Sequence, residues 1–153
     1  MIRSCFAAVL AGLLLSACSE NLTVEQQIIA TLRNMEVAAE SGEHLQFMTF
    51  VADDFQGQLG SMDRLGFHRF MLFQLNQHRR LQAQFFPIQV KETGENQATA
   101  NFNLLVTGGG GLLPDSVQVF EVDTAWFKDG DDWLLTRAEW ETVALPDIPD
   151  IID

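Results

Sequence analysis

Tyrosine is absent from the 153-residue chain, cysteine occurs twice, and Lys and Arg number 9 against 21 Asp and Glu, giving a net charge of -12. The shortage of cations argues against DNA, RNA or anionic lipid headgroups as partners, since those surfaces are held by clustered Lys and Arg. Solubility beside a negatively charged membrane accounts for the acidic excess more simply than cation binding does. Histidine occurs only at His44, His68 and His78. None of these has the i, i+4 spacing that places two imidazoles on one helix face, so neither a metal nor a cofactor is expected. Both cysteines, Cys5 and Cys18, lie near the N-terminus. The rest of the chain therefore has no thiol for a disulfide, and its stability must come from packing. Long apolar runs are missing too: Phe6 to Leu15 is too short to span a bilayer.

What the N-terminus does contain is Arg3, that apolar stretch, and Leu15-Ser16-Ala17-Cys18. These follow the charged, hydrophobic and small-residue order of a secretory signal. The pattern resembles a bacterial lipoprotein signal. The resemblance implies cleavage after residue 17, diacylglyceryl transfer to the Cys18 thiol, and further acylation with chains such as palmitate. Residues 1–17 are then the signal peptide, 18–22 a lipidated tether, 23–143 the folded domain and 144–153 an irregular acidic tail. Two or three acyl chains give stable anchoring, at about 0.8 kcal/mol per buried methylene. Ser19 follows the lipidated residue where an Asp would favour inner-membrane retention. The expected location is the cell envelope, facing the periplasm on the outer membrane.

Thr23-Val24-Glu25-Gln26 fits a capping box. Val24, Ile28, Leu32, Met35 and Ala39 then recur on one helical face up to Ser41-Gly42. A second helix is expected over Glu43 to Ala52, burying Leu45, Met48 and Val51. A third is expected from a Ser61 cap to about His78, with apolar residues nearly all round and cover on more than one side. After Arg80 the period becomes alternating, and four strands are expected. Phe86-Pro87 marks a bend in the first. Ala98, Ala100, Phe102, Leu104 and Val106 share one face of the second. A five-residue loop around Asp129-Gly130-Asp131 joins the last two, and that register sets Asp123 opposite Arg137. Gly108 to Gly111 lacks the Lys-Ser/Thr pair and helix start of a phosphate loop and reads as an inter-strand connection. Asp129, Asp131 and Asp132 lack the calcium-loop pattern and read as a turn. Pro146 and Pro149 make the tail irregular.

The fold class is α+β, with helices packed on a curved four-stranded antiparallel sheet. Ser41-Gly42-Glu43 leading through Phe47 and Met48 to Val51-Ala52-Asp53-Asp54-Phe55, with the strand Trp133-Leu134-Leu135 to Trp140, resembles the nuclear transport factor 2-like group and its cystatin-like cone. That group includes isomerases, dehydratases, epoxide hydrolases, adaptors and lipoproteins, so the resemblance implies a fold rather than an activity. Its isomerases and dehydratases rely on tyrosine hydroxyls, which this chain lacks. The leading expectation is a non-catalytic anchored protein that binds a small hydrophobic ligand, or an envelope protein, in or around the cone. Phe67, Met71, Phe102, Leu104 and Trp126 would line the pocket. A second reading is a hydrolase or lyase built on Asp123, Arg137 and Glu139, with Arg137-Ala138-Glu139 similar to an epoxide-hydrolase strand element. A third is a homodimer through an outer sheet face bearing Phe127, Trp133 and Leu135.

Overall fold

The computed structural model describes residues 22–77, 81–109 and 116–144. Residues 1–21, with Cys18 among them, and residues 78–80, 110–115 and 145–153 lie outside them.

Helix α1 (Val24–Glu40) opens with the expected capping box: the Gln26 N–H donates to Thr23 Oγ1 at 3.2 Å, and the Thr23 N–H donates to Gln26 Oε1 at 2.9 Å. Its buried face is Ile28, Leu32, Met35, Ala38 and Ala39. Helix α2 (His44–Met48) is shorter than expected and leaves Leu45 69% exposed. The chain turns at once into strand β1 (Val51–Gly57). Three hydrogen bonds favour this over a continuing helix. The Leu135 N–H donates to the Phe50 carbonyl at 2.8 Å, and the Arg64 guanidinium donates to the carbonyls of Met48 and Val51 at 2.9 and 3.2 Å.

A left-handed turn, with positive φ at Gln58, Leu59 and Gly60, leads to the short strand β2 (Met62–Asp63) and helix α3 (Arg64–Gln77). Asp63 caps α3 in place of Ser61, its Oδ1 accepting from the Gly66 N–H at 2.7 Å; Ser61 instead bonds the Gln58 carbonyl. Only Phe67 is fully buried on α3, and Leu65 and Phe73 are exposed. The apolar girdle is thus covered on one side, and α3 forms a lid over the sheet.

Four long strands follow: β3 (Leu81–Gly94), β4 (Gln97–Gly108), β5 (Ser116–Asp129) and β6 (Asp132–Val143). The sheet therefore has six strands, in order β2-β1-β6-β5-β4-β3, and it is mixed because β1 runs parallel to β6. The expected four antiparallel strands are its larger part. The bend at Phe86-Pro87 is a register shift between Phe86 and Gln89, where one extra β3 residue opposes β4.

The hairpin between β5 and β6 differs from the expected register. Asp129 pairs with Asp132 across a two-residue turn at Gly130 (φ 61°), and a bulge follows between Ala125 and Trp126. Asp123 therefore lies opposite Glu139, and Arg137 opposite Ala125. The same register turns Trp133 and Leu135 inward, each 4% exposed, so the outer face keeps only Phe127 of the three apolar residues expected there. No helix among the described residues is long and apolar enough to cross a membrane.

Candidate functional site

The concave face of the sheet, α1 and α3 enclose a cavity of about 190 Å³. Phe67, Met71, Phe102, Leu104 and Trp126 all line it, together with Met35, Phe70, Phe85, Phe120 and Trp140. They meet because alternate residues of β4 and β5 point inward while one face of α3 lies across them. The aromatic rings interlock: Phe55 stacks on Phe67 at 4.7 Å, Phe70 on Trp140 at 5.4 Å, and Phe85 meets Phe102 edge-on at 5.0 Å between centroids.

Among the described residues the cavity has a closed and an open end. Along β4, Ala98, Ala100 and Phe102 are buried, whereas Leu104 and Val106 are half-buried. Along β5, Trp126, Thr124 and Val122 are buried, Phe120 is half-buried and Gln118 is exposed. The floor lies where α1 begins, since Gln27 Oε1 accepts from Lys128 Nζ at 3.0 Å and from Trp133 Nε1 at 2.9 Å. The mouth lies at the other end, near Leu75, Leu81 and Val106. There the end of α1 meets β3, Glu40 Oε1 accepting from the Ala83 N–H at 3.0 Å.

At the floor, Trp126 Nε1 donates to Thr124 Oγ1 at 2.8 Å, and that hydroxyl donates to the Ala100 carbonyl at 2.8 Å. Among the described lining residues Glu36 is the one titratable side chain; it is 15% exposed and paired with Arg33 at 2.8 Å.

Asp123, Arg137 and Glu139 do not line the cavity. They sit on the outer face, where Asn101, Asp123 and Glu139 form one cross-strand row and Asn103, Glu121 and Glu141 the next. Asn101 Nδ2 donates to Asp123 Oδ1. Glu139 Oε2 accepts from the Leu59 N–H at 2.8 Å and so holds the left-handed turn after β1. Because Asp123 and Arg137 are not cross-strand partners, a double-mutant cycle of Asp123→Ala and Arg137→Ala should give a coupling below about 0.5 kcal/mol. A coupling above about 1 kcal/mol in urea denaturation would contradict this geometry.

The spacing of the histidines missed a contact. His44 Nδ1 and His68 Nε2 lie 3.0 Å apart, tying α2 to α3, with one ring donating and the other accepting. No group of three or more potential metal ligands occurs among the described residues.

No protein-family model and no curated protein matches the chain. Solved structures do. A cystatin-like protein of Nostoc punctiforme superposes with a TM-score of 0.64 at 17% identity, covering 84% of this chain and 97% of its own. A dehydratase candidate of the nuclear transport factor 2-like family from Streptomyces avermitilis gives 0.67 at 15% identity, covering 79% and 96%. Bdellovibrio bacteriovorus Bd1075 gives 0.65 at 12% identity over 78% of this chain, which spans only 40% of that protein. The chain has the nuclear transport factor 2-like, cystatin-like cone fold.

Proposed function

We propose that this protein is a lipid-anchored, periplasm-facing envelope protein that binds a small hydrophobic molecule in its cone without transforming it. The observation carrying the ligand reading is the cavity of about 190 Å³, walled by aromatic and methionine side chains and, among the described residues, open at one end. It is somewhat larger than an engineered apolar cavity of about 150 Å³ that stays dry and binds benzene. A single ring or a short alkyl chain fits that size. The Streptomyces neighbour is a dehydratase candidate, but proton transfer needs an acid or base within hydrogen-bonding reach of the substrate. Glu36, already paired with Arg33, is the one titratable side chain among the described lining residues. Asp123, Arg137 and Glu139 are on the other face of the sheet. The anchoring reading is supported by the Leu15-Ser16-Ala17-Cys18 pattern.

Toluene should therefore stabilise the protein by mass action, by about 2.7 kcal/mol at a hundred times its dissociation constant. Leu104→Trp, which fills the cavity from a half-buried wall position, should abolish that stabilisation while remaining folded. Thermal unfolding with and without toluene reads both. A wild-type midpoint that toluene leaves unmoved would overturn the reading.

A further inference from the structure

The two polar side chains at the cavity floor, Thr124 and Trp126, are only 5% and 2% exposed, and they satisfy each other. An indole has one donor and no acceptor, and a hydroxyl has one donor and two lone pairs. The Trp126 donor is spent on Thr124 Oγ1 and the Thr124 donor on the Ala100 carbonyl, both at 2.8 Å. No side-chain N–H or O–H is left to meet a ligand at the floor among the described residues. The other side-chain N–H groups of the described lining lie nearer the mouth: the Trp140 indole stands on β6 opposite Val122, one inward step above Thr124, and the carboxamides of Gln74, late in α3, and Gln118, early in β5, lie beyond it.

An acceptor atom carried to the floor would therefore leave water and find no donor, whereas a hydrocarbon loses nothing there. We infer that the cavity admits the hydrocarbon end of its ligand floor-first, and that Thr124 sets this preference by withholding the Trp126 indole N–H. The inference rests on the cavity being a ligand site. It assigns a ligand class, molecules with an acceptor-free ring or short alkyl end and any polar group at the opposite end, and it makes Thr124 a specificity-determining residue.

Valine is close in shape to threonine but has no hydroxyl, so Thr124→Val would free the indole N–H toward the cavity. The probes are cyclohexane and cyclohexanone, which differ in one acceptor atom, titrated calorimetrically into the full-length protein. In the wild type cyclohexane should bind the more tightly. In Thr124→Val the ratio of cyclohexanone to cyclohexane affinity should rise about fivefold, the size of one net hydrogen bond. Thr124→Ser keeps a hydroxyl and should leave the ratio at its wild-type value. Adding Trp126→Phe to Thr124→Val removes the freed donor and should restore that value. An unchanged ratio in folded Thr124→Val, or a rise that survives Trp126→Phe, overturns the inference while leaving the ligand reading standing. If Thr124→Val does not fold, a wild type that binds cyclohexanone as tightly as cyclohexane overturns it equally. Failure of both probes, and of toluene, to bind the wild type overturns the ligand reading as well.

Discussion

Replacing Trp126 with alanine should lower the free energy of unfolding by about 3–5 kcal/mol, the range for truncating a large buried aromatic residue. Trp126 is among the three largest fully buried side chains, with Phe55 and Ile28. It stands where β4, β5 and β6 converge, paired with Ala98 on one side and Leu135 on the other. Both neighbours are buried, so the backbone there has little room to collapse into the space left. The existing cavity adjoins the site, and removing the indole would enlarge it rather than open a new void. The truncation also deprives Thr124 Oγ1 of its donor. Trp126→Phe should cost less, because most of the apolar area stays and one hydrogen bond is lost. Urea denaturation measures both; a loss under about 1.5 kcal/mol for the alanine variant would mean that Trp126 is not a keystone of the floor.

The same neighbourhood shows what was legible in the sequence. Helix α1 was readable because its signals are local: Thr23 and Gln26 are three residues apart, and its core face repeats at helical spacing. Strand β4 was readable because Ala98, Ala100 and Phe102 alternate with polar residues, and the β3 bend because proline marks it. Strand β1 was not. Val51 and Phe55 keep helix-like spacing, and what makes the segment a strand is pairing with Leu135, Arg137 and Ala138, some eighty residues away in sequence.

The expected pairing of Asp123 with Arg137 differs from the structure for a related reason. The turn between Asp129 and Asp132 has two residues where five were expected, which shifts the register by one, and the bulge at Ala125 and Trp126, with no glycine or proline to announce it, shifts it by one more. A five-residue loop sets Asp123 opposite Arg137, whereas the structure gives Asp123 to Asn101 and Glu139 to the Leu59 N–H. Phe102, Leu104 and Trp126, by contrast, depended only on which strand face each occupies. Face is a property of local period, and it survives an error in register on the neighbouring strand.

On the proposed anchoring at Cys18, membrane attachment should be lost entirely in Cys18→Ser. Lipoprotein processing forms a thioether at sulfur, and a serine hydroxyl in the same place offers neither the nucleophilicity nor the atom. Cys18 lies outside the described residues, so the expectation rests on Leu15-Ser16-Ala17-Cys18 and on the energetics of the anchor. One acyl chain binds a bilayer marginally and reversibly, whereas two or three bind it stably, so loss of the acylated residue removes retention outright. The fold should survive the change. Helix α1 begins beyond that position and closes its first turn with Thr23 and Gln26, and none of the core contacts described uses Cys18. Labelled palmitate should enter the wild type and not the variant. The wild type should sediment with outer membranes, in keeping with Ser19 after the lipidated residue, and the variant should appear as an unprocessed precursor or in the soluble fraction. Palmitate label in Cys18→Ser would defeat the anchoring proposal. Native protein found only in inner-membrane fractions would defeat the outer-membrane part and leave the anchor intact.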